Sequence, residues 1–243
     1  MEKRAQLYEG KAKVVFATDD PEVYYVHFKD DATAFDGTKR GTVGGKGYTN
    51  AQVSALAFKY LEAQGIKTHL VKLHPPTDML VRKVKILLVE VVMRNIAAGS
   101  ITKRLGIPEG TELPFALLEH FYKNDELHDP LINEEHIQIL GLATAEQMVE
   151  VNRQARRINQ LLQAFFARAD LILVDFKLEF GVTSSGEIIL ADEISPDTCR
   201  LWDRETRTKL DKDRFRRDMG GVEEAYQEVL RRLREAAEAD ASE

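Results

Sequence analysis

The chain has 243 residues, of which 44% are hydrophobic and 30% charged, and its formal net charge is −6 at pH 7. This length allows one large domain or two small lobes, and the negative charge disfavours general binding to nucleic acids or anionic membranes. The single cysteine, Cys199, excludes an internal disulfide and suits a reducing compartment. The N-terminus has no apolar secretory signal, and the most apolar run, residues 86–93, is too short to span a bilayer.

The N-terminal part of the chain predicts mostly sheet with one helix. Residues 5–30 are expected to form strands, among them 14–18 and 23–28, and further strands are expected at residues 68–73, 79–84 and 86–94, where β-branched and aromatic residues are frequent. The glycine-rich segment 36–47 predicts a loop. The helix after this loop is expected to have Thr49 or Asn50 as its N-cap and to end at Gly65.

The remainder of the chain is more helical. Helices are expected to start at Ser100, as N-cap, and to span residues 145–169 and 222–237, with strands at 171–181 and 187–194. Strand runs and helix runs are largely segregated along the chain. We therefore predict an α+β fold, with a small sheet-rich lobe at residues 1–88 and a larger α+β lobe at residues 89–243.

The stretch 171-LILVDFKLEFG-181 begins as an apolar run and then alternates. Side chains along a strand point to opposite faces with period two, so one face is apolar and the other charged. The two sets are Val174, Phe176, Leu178 and Phe180 against Asp175, Lys177 and Glu179. The strand is expected to form a hairpin with residues 187–194, which carry Asp192.

The loop length of this hairpin decides which residues face each other. A two-residue loop would place Glu179 opposite Asp192, and a four-residue loop would place Lys177 opposite Asp192. Both loops keep Asp192 on the charged face, whereas a loop of odd length would turn it to the other face.

Two carboxylates on one sheet face repel each other unless a cation lies between them. A divalent metal such as Mg²⁺, which takes one or two carboxylates and leaves its other positions to water and phosphate, would satisfy Glu179 and Asp192. A surface ladder of ion pairs with Lys177 between the acids would do so as well. The apolar flanks favour a functional site, because they bury the other face of the hairpin.

Three further segments carry groups suited to phosphate. Gly10-Lys11-Ala12-Lys13 offers backbone N–H groups and ammonium groups, although a solvated lysine turn would have the same sequence. Residues 94–104 combine Arg94 with the start of a helix at Ser100, whose free N–H groups favour an anion, as an alternative to an ordinary capped helix. The loop at 193–203 presents Asp197 and Arg200. The planar fork of Arg200 suits phosphate or carboxylate, and a salt-bridged loop is the alternative.

The segment 123-KNDELHDP-130 places Lys123, Asp125, His128 and Asp129 close together in sequence. One interpretation is contact with substrate, or acid–base catalysis by His128. The other is an Asp-Pro turn with exposed charges, which this segment alone favours.

Several stretches of the chain, in their order, carry a specific resemblance. They are 8-YEGKAK-13, 32-ATAFDG-37 with 45-GKG-47, 90-EVVMRNIAAGSITKRLG-106, 123-KNDELHDP-130, 173-LVDFKLEFG-181, 192-DEISPDTCRLWD-203 and 211-DKDRFR-216. Together they resemble the SAICAR synthetases, the phosphoribosylaminoimidazole-succinocarboxamide synthases. Residues 38–45 and 198–199 vary in that family, so the resemblance assigns no role there.

The resemblance implies an ATP- and Mg²⁺-dependent ligase that joins carboxyaminoimidazole ribotide to L-aspartate and releases ADP and phosphate, in purine biosynthesis. It also implies a two-lobed α+β ATP-binding fold related to protein kinases and ATP-grasp enzymes, with mostly antiparallel sheets and flanking helices. A cytoplasmic homodimer is the expected assembly.

The same resemblance implies roles for individual residues. Glu179 and Asp192 would hold Mg²⁺. Lys177 would neutralise charge on the activated carboxylate, and Asp175 would position Lys177 or the substrate. The residues implied for ATP are Gly10, Lys11, Ala12, Lys13, Val15, Lys83, Glu90, Glu179 and Asp192, with the strand 83–90 joining the lobes. The residues implied for the ribotide are Arg94, Ser100, Arg200 and Lys123.

Two other functions are compatible with parts of this pattern. A different Mg-ATP-dependent small-molecule kinase would share the metal acids and the lysine loop, but it would need no site for a second, amine-bearing substrate. A non-catalytic nucleotide-binding subunit would keep its biological activity after Glu179→Gln and Asp192→Asn.

Overall fold

The computed structural model describes residues 1–34 and 37–240. Phe35 and Asp36, within the motif 32-ATAFDG-37, lie outside the described residues. The first strands and helix are β1 (Lys3–Glu9), β2 (Lys13–Thr18), β3 (Val23–Phe28), β4 (Asp31–Ala34), β5 (Lys39–Thr42), α1 (Lys46–Ala63), β6 (Leu70–His74) and β7 (Asp78–Arg82). They are followed by β8 (Lys85–Ile96), α2 (Ser100–Leu105), β9 (Glu112–Tyr122), β10 (Leu131–Ile132), α3 (Glu134–Ile139) and α4 (Ala145–Ala167). The last elements are β11 (Leu171–Val182), β12 (Ile188–Ala191), β13 (Cys199–Asp203), α5 (Asp213–Arg216) and α6 (Val222–Asp240).

The strands form two main antiparallel sheets. The first has the order β1-β2-β3-β7-β6 and the second β10-β9-β8-β11-β12, with β13 also paired to β11. Strands β4 and β5 form a small separate ribbon. The predicted α+β fold with mostly antiparallel sheets is confirmed. The predicted lobe boundary after residue 88 falls inside β8, and the division into two lobes stays a prediction.

The main hydrophobic core is continuous between the two sheets and the helices that pack on them. Its deeply buried members come from several elements, and those on α1, α4 and β11 include Phe58, Leu61, Ile158, Phe166, Phe176, Leu178 and Phe180. The apolar face predicted for β11 therefore anchors the strand, because removing these side chains from water stabilises the fold. Among the described helices, none is long and apolar enough to cross a membrane.

Val174 does not share that core. A register irregularity between Leu173 and Asp175 interrupts the pairing of β11 with β13. Val174 consequently packs in a second, smaller cluster with Ile96, Ala98 and Trp202. The prediction that Val174 lies on the same face as Phe176 was wrong, because a bulge breaks the two-residue alternation of a strand.

The glycine-rich segment is more regular than predicted. Residues Lys39–Thr42 form β5, and α1 begins at Lys46 with Gly45 as its N-cap, not at Thr49 or Asn50. The carboxylate of Asp30 accepts hydrogen bonds from the backbone N–H groups of Gly45 and Gly47, at 3.2 and 2.8 Å. Asp30, which lies well before the helix in sequence, satisfies these N–H groups in place of a capping side chain at the helix start. The residues next to Lys46 therefore do not indicate where α1 begins.

Gly47 is required by a close approach between two backbone segments. A Cβ atom at this position would lie 2.3 Å from the carbonyl oxygen of Phe28. Only glycine lets the first turn of α1 pack directly against the end of β3.

Ser100 is the first residue of α2 rather than its N-cap. The N-cap is Gly99, with φ 65°, and Gly99 offers no capping side chain. The hydroxyl of Ser100 instead accepts a hydrogen bond from Nη2 of Arg94 at 3.2 Å. The predicted cap was wrong, because glycine takes the positive φ that this turn needs more easily than serine does.

The hairpin between β11 and β12 has neither of the two predicted registers. Phe180 pairs with Leu190 and Glu179 with Ala191, so the connection has an odd length. The backbone N–H of Thr183 donates to the carbonyl of Glu187 at 2.9 Å, which closes the turn. The register alone would turn Asp192 to the face opposite Glu179. Asp192, however, has φ 60° and follows the last residue of β12, so its side chain leaves the alternation.

Candidate functional site

Lys177 lies at the centre of a group of carboxylates from three segments. Its Nζ is 2.6 Å from Glu179 Oε1, 3.2 Å from Asp192 Oδ2 and 3.3 Å from Glu90 Oε1. Glu179 and Glu90 face each other across β11 and β8. Because like charges directly opposite on a sheet repel, this pair depends on a cation between its members.

Two further lysines bind the same carboxylates. Lys123, just after β9, places Nζ 2.9 Å from Glu179 Oε1 and 3.7 Å from Glu90 Oε1. Lys13, at the start of β2, pairs with Asp192 and lies 3.0 Å from Glu193 Oε1. We call these groups the lysine–carboxylate cluster: Lys13, Lys123 and Lys177 with Glu90, Glu179, Asp192 and Glu193.

All of the perturbed groups in this cluster favour their charged forms. Burial lowers the pKa of Lys177, but Asp192, Glu179 and Glu90 together raise that pKa well above its usual value. Burial raises the pKa of Asp192, whereas the ammonium groups of Lys13 and Lys177 hold it well below the usual range of a carboxyl. Lys177 is therefore a fixed positive charge at neutral pH rather than a base.

Within the cluster, Lys123 and Lys177 are more exposed to solvent than Glu179. The side chains of Lys123 and Lys177 are 39% and 25% exposed, whereas that of Glu179 is 5% exposed. A ligand that approaches Glu179 therefore meets Lys123 and Lys177 first. Their ammonium groups can donate to the oxygens of a phosphate or a carboxylate, although the four carboxylates of the cluster outnumber its three lysines.

The cluster also contains donors suited to a divalent metal. Glu179 and Asp192 both lie within 3.2 Å of one ammonium group, so their hard oxygen ligands are close together. In residues 1–34 and 37–240, no group of three or more His, Cys, Asp or Glu side chains is arranged to hold a metal. Mg²⁺ bound with phosphates needs only one or two carboxylates, and these two residues fit that requirement.

A pair of arginines lies beside the cluster, at Asp175. Asp175 precedes Lys177 by two residues on β11 and is the register partner of Arg94 on β8 and of Arg200 on β13. Its Oδ2 is 2.6 Å from Arg94 Nη1 and 2.8 Å from Arg200 Nη1. With the bond from Arg94 to Ser100, the structure brings together three of the four residues implied for the ribotide.

Asp175 engages these arginines and not Lys177. The implied role of positioning Lys177 therefore has no supporting contact within the described chain, and the implied role of positioning the substrate stays a prediction. Asp175 instead forms ion pairs with both arginines. Lys123, implied for the ribotide, binds Glu179 instead. Glu90 on β8 pairs with Phe121 on β9. Lys123 follows Phe121 by two residues, so its side chain lies close to Glu90 and Glu179.

The residues of the lysine loop lie between the first two strands. The backbone N–H of Gly10 donates to the carbonyl of Lys13 at 2.8 Å, and the carbonyl of Ala12 accepts from Lys29 N at 2.8 Å. Lys11 pairs with Asp125 at 2.8 Å, with both side chains largely exposed. This pair joins the loop to the segment 123–130.

Two other residues implied for ATP are outside the lysine–carboxylate cluster. Val15 packs against the hydrophobic core from β2. Lys83 is exposed, and its Nζ lies 5.8 Å from the centre of the Tyr24 ring. In the segment 123–130, His128 has φ 60° and ends a short 3-10 turn over Asp125–Leu127. This backbone agrees with the turn that the segment alone favoured.

Three buried acids of this region received no role from the sequence. Glu193 is 4% exposed and accepts from Ser195 Oγ at 2.6 Å in addition to its contact with Lys13. Asp197 binds Lys46, which is 1% exposed, at 2.8 Å. Asp213 accepts from Arg200 Nε at 3.0 Å. The available signal was the presence of charged residues within the motifs 192-DEISPDTCRLWD-203 and 211-DKDRFR-216, which a surface loop would also explain.

Comparison with known proteins gives a consistent result over nearly the whole chain. Residues 6–233 match the family model described as SAICAR synthetase. A phosphoribosylaminoimidazole-succinocarboxamide synthase of Coprothermobacter proteolyticus is 58% identical over 96% of this chain and 99% of the relative. A solved structure described as SAICAR synthetase (Type-2) in complex with ADP is 50% identical with a TM-score of 0.90, over 93% of this chain and 96% of that one. The crystal structure of a phosphoribosylaminoimidazole-succinocarboxamide synthase from Ehrlichia chaffeensis is 43% identical with a TM-score of 0.93, over 95% of this chain and 98% of that one.

Proposed function

The chain belongs to the SAICAR synthetase family, and we propose that its cleft performs the reaction of that family. This reaction is the ATP-dependent condensation of carboxyaminoimidazole ribotide with L-aspartate, which forms the succinocarboxamide ribotide, ADP and phosphate in purine biosynthesis. The chain is thus a carbon–nitrogen ligase.

One observation carries the proposal. Lys177 forms ion pairs with Glu90, Glu179 and Asp192. Asp175, two residues earlier on the same strand, forms ion pairs with Arg94 and Arg200. Residues two apart on a strand share a face and are about 6–7 Å apart. A substrate with a phosphate at one end and a carboxylate at the other can therefore reach both sites.

Nucleotide phosphates are expected to bind on the side of the cluster formed by the lysine loop. The ammonium of Lys13 lies next to Asp192 and Glu193, and Gly10, Lys11 and Ala12 directly precede Lys13 in the turn between β1 and β2. Glu179 and Asp192 would hold Mg²⁺, which when bound neutralises phosphate charge. Val15 packs on the hydrophobic core from β2, and Glu90 contacts Lys123 and Lys177, so the roles implied for both in ATP binding stay predictions. Lys83 lies on the ring of Tyr24, which lends its implied role no support.

The ribotide phosphate is expected at Arg94, Ser100 and Arg200. Its carboxylate then lies near Lys177, whose permanent charge stabilises the oxygen that becomes negative when the amine of aspartate attacks. Because the raised pKa of Lys177 keeps it protonated, it stabilises charge and does not remove the proton of the amine. Charge stabilisation and orientation of the substrates can together supply most of the rate enhancement.

The decisive experiment measures release of ADP from Mg-ATP with carboxyaminoimidazole ribotide, in the presence and absence of L-aspartate. The ligase releases ADP in sustained turnover only when both are present. Turnover independent of aspartate would indicate the small-molecule kinase. Absence of ADP release, together with biological activity that Glu179→Gln and Asp192→Asn leave intact, would indicate a non-catalytic nucleotide-binding subunit.

The cytoplasmic homodimer implied by the resemblance belongs to the same proposal. Sedimentation equilibrium at micromolar concentration is expected to give twice the mass of the chain. A fluorescent fusion expressed in bacteria is expected to distribute through the cytoplasm.

A further inference from the structure

The motif 211-DKDRFR-216 contains an acid that the proposed reaction does not itself use. Asp213 is the first residue of α5, and it is 1% exposed. Its Oδ2 accepts a hydrogen bond from Nε of Arg200 at 3.0 Å. It therefore touches one of the arginines proposed for the ribotide phosphate.

The donors of Arg200 are divided between two carboxylates. Nη1 donates to Asp175 Oδ1 and Oδ2 at 3.0 and 2.8 Å, and Nε donates to Asp213. Within the described part of the chain, Nη2 has no acceptor. Nη2 instead packs on Gly99, where a Cβ atom would lie 2.4 Å away.

Nη2 is the guanidinium nitrogen of Arg200 that neither carboxylate binds, and it lies at the turn that leads into α2. Ser100 follows Gly99, and its hydroxyl already receives Nη2 of Arg94. The outer nitrogens of both arginines therefore meet at residues 99–100. The planar fork of a guanidinium binds an anion well only when its plane is fixed.

We propose that Asp213 is a positioning residue for phosphate binding: with Asp175 it fixes the guanidinium plane of Arg200 and leaves Nη2 for the ligand. Asp175 alone holds Nη1, about which the guanidinium could still turn. A second carboxylate on Nε prevents that rotation. The inference rests on the proposed function, since the ligand is the ribotide phosphate.

Asp213 is itself firmly held. Its Oδ1 accepts from Arg216 Nη1 at 2.7 Å, and its backbone N–H donates to Asp211 Oδ1 at 2.7 Å. The other oxygen of Asp211 accepts from the backbone N–H of Leu201 at 2.9 Å. Asp211 thus ties the backbone next to Arg200 to the backbone of Asp213.

Asp213 is ionised at neutral pH. Burial raises its pKa, but the guanidinium groups of Arg200 and Arg216 lower the pKa to about 2. The hydrogen bond to Arg200 is consequently charge-assisted on both sides, which makes it stronger than a neutral one.

The test compares the Michaelis constants of Asp213→Asn and wild type for each substrate. Loss of a charge-assisted hydrogen bond is expected to raise KM for the ribotide about tenfold. KM for ATP and aspartate, and kcat at saturating ribotide, should stay within about twofold of wild type, because the chemistry is untouched. Equal increases in all three KM values, or an unchanged KM for the ribotide, would overturn the inference.

A double-mutant cycle with Arg200→Lys separates positioning from general structure. If Asp213 acts through Arg200, Asp213→Asn has no further effect on KM for the ribotide in the Arg200→Lys background. Full additivity of the two changes would contradict the inference. The riboside that lacks the phosphate provides a second readout, since its binding should be equal in wild type and Asp213→Asn.

Two further variants complete the design. Asp203→Asn removes another carboxylate paired with an arginine, Arg232 at 2.8 Å, and is expected to leave every KM unchanged. Asp213→Glu keeps the charge but moves the carboxylate by one methylene. It should raise KM for the ribotide about threefold, and it decides the matter if Asp213→Asn does not fold. Absence of ribotide-dependent turnover in wild type would instead refute the proposed function.

Discussion

Lys177 and Asp192 meet at 3.2 Å, although the register of their two strands would turn Asp192 to the opposite face. The contact exists because Asp192 adopts a left-handed backbone, with φ 60°, directly after the last residue of β12. Such a conformation costs free energy in a residue other than glycine, and asparagine and aspartate tolerate it best. The ion pairs of Asp192 with Lys13 and Lys177 offset that cost.

Replacement of Lys177 by methionine should impair the chemical step. The change removes the ammonium group bound by Glu90, Glu179 and Asp192, and kcat is expected to fall by about 10²–10³. Steady-state ADP release at saturating substrates measures the effect. Lys67→Met, which removes a surface lysine paired with Glu187, is the control and should retain wild-type kcat. A kcat for Lys177→Met within threefold of the wild-type value would refute the assigned role.

Glu179→Gln and Asp192→Asn should each weaken the use of Mg²⁺. Each change replaces a negatively charged ligand by a neutral one, so the Mg²⁺ concentration at half-maximal rate is expected to rise about tenfold. Titration of Mg²⁺ at fixed ATP gives this value, and calorimetric binding of Mg-ADP provides a readout independent of turnover. The control, Glu187→Gln, alters an acid outside the cluster. An unchanged Mg²⁺ requirement in both variants would exclude these residues as metal ligands.

Asp197→Asn should destabilise the protein. Lys46 is 1% exposed and binds Asp197 at 2.8 Å, and Asp197 also accepts from Tyr226 Oη at 2.6 Å. Removal of one partner leaves a buried charge without compensation, which costs about 3–5 kcal/mol. Urea denaturation measures the free energy of unfolding. The double variant Lys46→Met with Asp197→Leu should lose less, and a loss below about 1 kcal/mol in the single variant would contradict the prediction.

The ion pairs of Asp213 predict a dependence of stability on pH. Its pKa in the folded protein, about 2, lies below its ordinary value of 3.8. The group therefore stabilises the fold above pH 3.8, and this stabilisation is lost as the pH falls through the folded pKa. Wild type should exceed Asp213→Asn by about 2 kcal/mol at pH 6 and by about half of that at pH 3. Urea denaturation at the two pH values checks this, and a constant difference would show that ionisation of Asp213 is not responsible.

The sequence was sufficient to identify elements whose pattern is local. The alternation in β11 correctly placed Lys177 and Glu179 on one face and Phe176 and Leu178 on the other, because no bulge interrupts the two-residue period between these residues. The spacing left a metal site and an ion-pair ladder equally open, and the order of the other motifs favoured the site.

Features that depend on distant residues could not be predicted. The start of α1 depended on a cap from Asp30, which lies well before the helix in sequence. Likewise, nothing in the neighbourhood of Asp213 indicates that it meets Arg200. Such contacts arise only after the chain has folded, so no local period or cap signal encodes them. The hairpin register was open for a different reason, because the local turn sequence allows more than one loop length.

The most direct test of the account is ADP release by the purified chain with Mg-ATP, when the ribotide and L-aspartate are supplied singly and together. Sustained release is predicted only with both substrates, in equal amounts with the succinocarboxamide ribotide. Sustained release without aspartate, or release without formation of that product, would contradict the proposed ligase.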